Sequence, residues 1–328
     1  KEYKRLIEVF KAHNIGYFFY NGGNDSADTA FKVSQISKKL NYPINCIAIP
    51  KTVDNDLVLT DCCPGFGSAA KYIATSTMEA SLDVKSMAAT STKVFILEVM
   101  GRHAGWMAAS SSLARKNKGD APHIILLPEV IFNQKKFLDQ VKKTVSRNGY
   151  CVVVVSEGLK NNKNKFLAEA DTKDAFGHAQ LGGVAPYIAN LITDKLKMKN
   201  HWAVLDYLQR SARHISSKTD LDQAMEVGIK AIQYAVKGMN GVMPIIVRGK
   251  GKKYTWKIEP APLSKIANLE KKLPKSYISK NGMDVTPKAV EYLQPLIQGE
   301  SFPKFKNGIP EIKDLKLVEV KKKLGPWT

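Results

Sequence analysis

Two loops in the first 61 residues carry carboxylates, a lysine and glycines directly after apolar segments. The first loop, in YNGGNDSADTA, has Gly22 and Gly23 immediately before a helix-like stretch. Glycines allow close backbone approach, and the free N–H groups of a helix N-terminus can bind an anion such as phosphate. Asp25 brings a negative charge to this loop, so an alternative is that Asp25 and Ser26 only cap the helix.

The second loop, IPKTVDNDLVLTD, also follows an apolar strand. It places five polar side chains close together: Lys51, Thr52, Asp54, Asn55 and Asp56. Asp54 and Asp56 are two residues apart, so in an extended chain they would point the same way. A carboxylate near a lysine and a hydroxyl can act as a base beside a phosphate clamp. The alternative is an ordinary turn rich in Asp and Asn.

Three later segments add further groups at predicted strand ends. In LEVMGRHAGWMAA, Gly101 turns the chain and Arg102 is predicted to open a helix, which is unfavourable for the helix dipole but suits anion binding. Glu157 ends the strand in VVVVSEGLK, and Tyr207 and Arg210 share a helix face in VLDYLQRSARH. Each segment alone also fits a structural turn, but the combined set fits phosphoryl transfer.

The elements that must position these groups alternate between apolar strand-like runs and helical periods. This alternation predicts an α/β protein with parallel sheets covered by helices. Helices are predicted at 2–12, 25–40, 65–89, 103–116, 134–147, 183–198 and 218–237. Strands are predicted at 15–20, 44–49, 93–99, 123–127, 150–155, 202–205 and 241–247. GKGKKYTWKIE is predicted to form a hairpin, and residues 262–328 short helices and irregular chain.

Composition narrows the protein class. The chain has 328 residues, 44% hydrophobic and 24% charged, which is enough for two domains of a soluble cytoplasmic protein without a membrane span or secretory signal. Its four cysteines form no CxxC pair, which indicates reduced, buried thiols and no zinc site. The net charge of +20 allows a nucleic-acid binder, but the lysines are scattered, so neither nucleic acid nor membrane is expected as a partner.

The order of the motifs resembles one family. GGNDS, PKTVDND, TDCCPGFGSA, MGRHAGW, SEGL and DYLQRS, in this order, resemble the phosphofructokinase family and specifically its pyrophosphate-dependent branch. The resemblance implies two Rossmann-like three-layer domains with parallel-rich sheets and an irregular helical C-terminal extension. It assigns 1–68 with about 206–255 to a pyrophosphate domain, 69–205 to a fructose 6-phosphate domain, and 256–328 to an extension packing on both. Family members begin with a strand and a GGxxPG loop, so the sequence is expected to lack an N-terminal segment.

The activity that the resemblance implies is reversible transfer of phosphate from pyrophosphate to O1 of fructose 6-phosphate. Asp54 would be the general base, Lys51 and Arg102 would stabilise the developing charge, and Asp25 would exclude ATP by occupying the place of its α-phosphate. Substrate-binding roles are implied for Thr52, Val53, Met100, Gly101, Glu157, Tyr207 and Arg210. Phosphate-binding roles are implied for Gly22, Gly23 and Ser26.

The resemblance also implies Mg²⁺ as cofactor and a homodimer or homotetramer with shared active sites. Asn24 stands where the family more often has a metal-binding acid, so its metal contact would be weaker or water-mediated, and Asp56 is a second candidate ligand. An arginine that the family has upstream of DYLQRS is absent, with His201 or Lys199 as candidate substitutes. Lys93 stands where ATP-dependent relatives have an arginine that acts in a neighbouring subunit.

Two other functions fit the same fold. An ATP-dependent kinase would lack Asp25 and Lys51, because the ATP-using branch resembles GGDGS and PGT at these loops. A non-catalytic regulatory subunit would not need Asp54, Arg102 and Arg210.

Overall fold

The computed structural model describes residues 2–173 and 179–327 and shows alternating helices and strands. The helices are α1 Glu2–Ala12, α2 Asn24–Lys39, α3 Phe66–Met87, α4 Trp106–Ser110, α5 Gln134–Asn148, α6 Val184–Leu196, α7 Leu208–Ser211, α8 Lys218–Val236 and α9 Pro287–Leu293. The strands are β1 Tyr17–Gly22, β2 Asn45–Pro50, β3 Val94–Val99, β4 Ile124–Leu126, β5 Cys151–Ser156, β6 Glu169–Lys173, β7 Ala179–Leu181, β8 Asn200–Val204, β9 Val242–Arg248, β10 Trp256–Pro262, β11 Phe305–Lys306 and β12 Ile309–Pro310.

The first sheet has the order β1-β2-β9-β10 and carries the two N-terminal loops at its carboxyl edge. β1 and β2 are parallel, with Gly22 opposite Pro50. β9 and β10 are antiparallel, so the segment GKGKKYTWKIE supplies only the connection and the start of the second strand of a hairpin whose first strand is β9. Helices cover both faces: Ala27 and Ala30 of α2 pack with Ala48, whereas Ala231 of α8 packs with Ile47. Alanine is the commonest contact residue on these helices because its small side chain lets helix and sheet approach closely.

The second sheet is parallel throughout and has the order β4-β5-β3-β8. Its central strands are buried on both faces, as a sheet covered by helices requires. Leu97 of β3 packs in a cluster with Ile73 of α3, whereas Ile96 packs in a different cluster with Ile188 of α6. Because successive side chains of a strand point to opposite faces, β3 contributes to an apolar layer on each side of the sheet. The predicted α/β three-layer arrangement is confirmed.

The apolar cluster around Phe66 joins both sheets and the C-terminal extension. It contains Leu97 and Val154 from the second sheet, Ile246 from the first, and Leu293 from α9. The predicted two-domain division stays a prediction, and its terminal residues 1 and 328 lie outside the described chain. Strand β10 pairs with β9 in the first sheet, although the prediction assigns residues 256–328 to the C-terminal extension. The short helices and irregular chain predicted after residue 262 are present.

One predicted helix differs from the structure, and one strand pair was not predicted. The helix predicted at 103–116 begins only at Trp106 and ends as a 3-10 turn at Ser111–Ala114, so Arg102 lies in a loop and not at a helix N-terminus. Gly101 has φ +132°, which no residue of a right-handed helix adopts, so the helix cannot start there. Strands β6 and β7 pair antiparallel in a region without a predicted element, because their sequence is polar.

The predicted burial of the cysteines is confirmed. Cys46, Cys62, Cys63 and Cys151 are free and buried. Among the described residues, no helix is both long and apolar enough to cross a bilayer.

Candidate active site

The parallel pairing of β1 and β2 brings the two N-terminal loops together. The N–H of Lys51 donates to the carbonyl of Gly22 at 3.0 Å, directly beyond the last residue pair of the two strands. A Cβ added at Gly23 would lie 3.8 Å from the Cβ of Thr52. The glycine loop and the lysine loop therefore form one continuous surface at the carboxyl edge of the sheet.

The N-terminus of α2 is open to an anion. The helix begins at Asn24 with Gly23 as N-cap and no side-chain cap, so neither Asp25 nor Ser26 is the capping residue that the alternative interpretation proposed. Gly22 cannot be replaced easily, because a Cβ there would lie 2.0 Å from the Ser26 hydroxyl oxygen. The free N–H groups and the positive end of the helix dipole can therefore bind phosphate.

The N-terminus of α3, which is close by, is already occupied. The buried Asp220 carboxylate accepts from the N–H of Gly65 at 2.9 Å and from the N–H of Ser68 at 3.0 Å. Asp220 thus supplies an internal anion at α3. Of the two helix N-termini that follow these strand loops, α2 is the one left for a ligand.

The loop after β2 turns sharply between its two aspartates. Asn55 is fully buried with φ +53°, so the extended chain expected for Asp54 and Asp56 is wrong. Asparagine tolerates this left-handed conformation better than most residues. The Thr52 hydroxyl accepts from the N–H of Asp54 at 3.1 Å and stabilises the start of the turn.

Asp54 lies at the centre of the charged groups. Burial raises the pKa of the Asp54 carboxyl, and the positive charges of Arg102, Arg210 and Lys51 oppose this rise. These cations come from loops of both sheets. A carboxylate that is partly desolvated and surrounded by cations has the properties of a base poised beside an anionic substrate.

Asn24 and Asp56 form a pair that fits a magnesium site. The Asn24 amide donates to one oxygen of Asp56 at 2.9 Å, whereas Oδ1 of Asn24 and Oδ1 of Asp56 are buried without a partner. Burial, with the charge of Asp54 adding to it, raises the pKa of Asp56 to about 6. Mg²⁺ binds one or two protein oxygens and completes its shell with water and substrate phosphates. In the described part of the chain, no group of three His, Cys, Asp or Glu side chains could hold a metal ion without help from other ligands.

The second sheet contributes a compact loop after β3. The N–H of Gly101 donates to Glu157 at 3.1 Å, and the Ser156 hydroxyl donates to the Gly101 carbonyl. A Cβ added at Gly158 would lie 1.9 Å from the carbonyl oxygen of Arg102, so a glycine is needed at that position. The backbone around Arg102 is thus fixed from the neighbouring strand end.

The loop after β8 reaches the same place. Gln209 is buried, accepts from the N–H of Met100 at 3.3 Å and donates to the Asp206 carbonyl at 2.9 Å. The Arg210 guanidinium lies 3.8 Å from the ring centre of Tyr207, as expected for residues on one face of a turn. Arg210 is exposed and also lines a cavity of about 360 Å³ with Lys51.

The raised pKa of the Glu157 carboxyl predicts that the stability of the protein depends on pH. Burial raises its pKa to about 7, to which the charge of Asp54 adds, whereas the N–H of Gly101 and the charge of Arg102 oppose the rise. Between pH 4.5, its ordinary pKa, and about 7, the folded state keeps the proton that the unfolded state releases. The free energy of unfolding contributed by this group therefore falls as pH rises through this window.

We expect the Glu157→Gln variant to gain stability relative to the wild type as pH rises from 4.5 to 8. The gain should reach at most about 3.5 kcal/mol, because a difference of one in pKa corresponds to about 1.4 kcal/mol. Urea unfolding of both proteins at several pH values measures it. Glu291→Gln, at an exposed carboxylate, is the control. Parallel pH profiles for the wild type and Glu157→Gln would contradict the prediction.

Other predicted residues lie farther from this centre. Val53 packs against the cluster around Phe66, so its side chain serves packing. Lys93 and Lys199 directly precede β3 and β8, at the edge of the sheet opposite to Met100. Lys93 contacts the carbonyls of Ala88 and Ala89 instead. His201, the second residue of β8, is at the same remote end, so neither candidate substitute for the absent arginine reaches the site of its own chain.

Gln209 and Asp220 carry structural roles at the site that the sequence did not reveal. Gln209 lies inside the DYLQRS motif, which is a local signal that it is buried beside the site. Asp220 follows Ser217, which accepts from its N–H at 3.3 Å and caps α8, so the sequence signal is that of an ordinary helix start. Its contact with α3 depends on the tertiary fold.

Comparison with known proteins agrees with this arrangement. Residues 1–235 match the family described as Phosphofructokinase. The chain belongs to the phosphofructokinase family. Within this family it is 56% identical over 323 residues to a protein of Halomonas elongata named Pyrophosphate–fructose 6-phosphate 1-phosphotransferase, covering 98% of this chain and 77% of that protein.

Solved structures of phosphofructokinases superpose closely. The pyrophosphate-dependent phosphofructokinase from Marinobacter aquaeolei has a TM-score of 0.90 and 57% identity, covering 98% of this chain and 78% of the other. The pyrophosphate-dependent phosphofructokinase from Nitrosospira multiformis has a TM-score of 0.92 and 55% identity, covering 100% of this chain and 79% of the other. The phosphofructokinase fold predicted from the motifs is thereby confirmed.

Proposed function

We propose that this protein transfers a phosphoryl group from pyrophosphate to O1 of fructose 6-phosphate and gives fructose 1,6-bisphosphate and phosphate. The reaction is reversible and serves glycolysis or gluconeogenesis in the cytoplasm. The observation that carries the proposal is the position of Asp54, a carboxylate near the positive charges of Arg102, Arg210 and Lys51 and beside the open N-terminus of α2. The names of the relatives in Halomonas, Marinobacter and Nitrosospira support the same activity.

In this mechanism, Asp54 accepts the proton of the 1-hydroxyl while that oxygen attacks the nearer phosphorus of pyrophosphate in line. Lys51 and Arg102 stabilise the charge on the transferred group, and the departing phosphate leaves with the bond electrons. The loop of Gly22, Gly23 and Ser26 holds the donor. Asn24 and Asp56 would hold Mg²⁺, which would neutralise charge on the phosphate oxygens.

The acceptor sugar binds on the second sheet. Glu157 binds its hydroxyls, Met100 and Gly101 line the sugar-phosphate site, and Thr52 contacts the reacting region. Tyr207 and Arg210 bind the sugar and its 6-phosphate, with the guanidinium already oriented by the tyrosine ring. In a homodimer or homotetramer with shared sites, Lys93 would face the site of a neighbouring subunit.

The domain roles follow from the same assignment. Residues 1–68 with about 206–255 would form the donor domain and residues 69–205 the acceptor domain. Residues 256–328 would pack on both. Asp25 favours pyrophosphate over ATP, because an ATP-dependent enzyme would need room and neutrality where this carboxylate stands.

A coupled assay for fructose 1,6-bisphosphate tests the function. The chain, Mg²⁺ and fructose 6-phosphate are combined with pyrophosphate in one reaction and with ATP in another. We expect turnover with pyrophosphate that stops with EDTA and returns with excess Mg²⁺. Turnover with ATP but not with pyrophosphate would contradict the donor assignment. The absence of turnover with either donor would contradict the enzymatic function.

A further inference from the structure

A short segment of the C-terminal extension lies between the two loops that carry the charged groups. Its backbone contacts both: the N–H of Lys271 donates to the Asp56 carbonyl at 2.6 Å, and the Lys271 carbonyl accepts from the indole N–H of Trp106 at 2.8 Å. Glu270 forms an antiparallel bridge with Leu57. This segment therefore connects the loop after β2 of the first sheet with the start of α4, the helix that follows β3 of the second sheet.

The ammonium group of Lys271 is fully engaged in the loop after β2. It donates to Oδ1 of Asn55 at 3.2 Å, to the carbonyl of Thr60 at 3.0 Å and to the carbonyl of Asp61 at 2.9 Å. It also lies 5.4 Å from the ring centre of Trp106. Because a lysine has three donors, these acceptors use all of them, and none is left for a substrate.

The contact with Asn55 matters because Asn55 forms the turn between Asp54 and Asp56. Its Oδ1 also accepts from the N–H of Cys63 at 3.0 Å, and its amide donates to the Tyr292 hydroxyl at 3.1 Å. Three hydrogen bonds to the Asn55 side chain keep its left-handed backbone in place. Loss of one of these hydrogen bonds would let the turn relax and would move the carboxylate of Asp54.

The same segment is fixed to the loop of Arg102. Glu270 pairs with His103 at 2.7 Å, one residue beyond Arg102. Two residues after Lys271, the N–H of Leu273 donates to Glu129 at 2.9 Å, and the same oxygen accepts from the N–H of Gly105 at 2.9 Å. The loop of Arg102 and the loop of Asp54 are thus both attached to the segment that contains Lys271.

We propose that Lys271 is a positioning residue, which couples the two loops and sets the place of Asp54 relative to Arg102. The inference rests on the proposed function, since it gives these two residues their roles as base and as charge-stabilising cation. Lys271 itself touches neither substrate. Its effect should therefore appear in the rate of the bound complex and in the mobility of the loop, more than in substrate affinity.

The test compares Lys271→Met, which removes the ammonium, with Lys272→Met, which removes an adjacent exposed ammonium. We expect Lys271→Met to lower kcat by about 10- to 100-fold with KM for both substrates within about threefold, because small displacements of a reacting group are costly. Lys271→Arg should recover part of the rate. Lys272→Met should match the wild type.

Hydrogen exchange without substrate separates this inference from the proposed function. The amides of residues 53–61 should exchange at least about tenfold faster in Lys271→Met than in Lys272→Met, because the local opening becomes easier. A kcat within about twofold of the wild type, or uniformly faster exchange over the whole chain, would overturn the positioning role. If Lys271→Met does not fold, Lys271→Gln, which keeps an amide donor, serves in the same comparison.

The two hypotheses fail in different ways. A wild type without turnover from pyrophosphate would refute the proposed function, while the exchange experiment would still show whether Lys271 fixes the turn. A wild type with turnover, together with unchanged exchange in Lys271→Met, would refute the positioning role alone.

Discussion

Replacement of Asp54 by asparagine should lower kcat for pyrophosphate and fructose 6-phosphate by about 1000-fold, within the range that a general base contributes. Asparagine has the same shape but cannot accept the proton of the attacking hydroxyl. KM should change little, because the surrounding cations that bind the phosphates remain. Initial rates at saturating concentrations of both substrates measure the effect.

Two controls make the Asp54→Asn result specific. Asp83→Asn, at an exposed position of α3, removes the same charge far from the loops and should leave kcat unchanged. The Asp54→Asn substitution should also lower the pKa of Glu157, because the charge of Asp54 raises that pKa in the wild type. Carbon NMR of the glutamate carboxyls detects this shift. A kcat within about tenfold of the wild type would show that Asp54 is not the base.

Replacement of Asp25 by glycine should allow ATP to act as donor. Asp25 is exposed in the first turn of α2, where its side chain fills space and brings a negative charge beside the open helix N-terminus. Removal of the side chain and its charge should raise kcat/KM for ATP by at least about tenfold, because Asp25 no longer repels the negatively charged phosphates of ATP. The coupled assay with each donor measures the ratio.

The Asp25→Asn variant separates charge from volume. If repulsion excludes ATP, Asp25→Asn should gain a large part of the ATP turnover of Asp25→Gly. If the side chain only blocks the space, Asp25→Asn should behave like the wild type. The absence of ATP turnover in both variants would contradict the role of Asp25 as donor gate.

The sequence was sufficient for most elements because the periodicities were strong. The parallel strands of the second sheet are short apolar runs bounded by polar turns, and their bounds are within one or two residues of the prediction. The failure at Arg102 has a local cause: a positive φ at Gly101 and a loop up to Gly105 delay the start of α4. An apolar helical pattern does not reveal where such a loop ends.

Site residues on strand-end loops could be predicted because parallel strands deliver their carboxyl ends to one edge. The turn at Asn55 could not, since its left-handed backbone depends on partners such as Lys271, 216 positions later in the chain. Nothing in the local sequence EKKLPK distinguishes Lys271 from its neighbours. Residues that act through the backbone of another loop leave a signal only in the tertiary fold.

The apolar cluster around Phe66 has a consequence for how the molecule comes apart. Because Leu97, Ile246 and Leu293 share it, neither sheet can lose its structure without exposing apolar surface of the other and of the extension. We therefore expect the two sheets to unfold as one cooperative unit. A destabilising substitution in the extension would therefore lower the folded fraction of the whole molecule, even if the substituted residue touches no substrate.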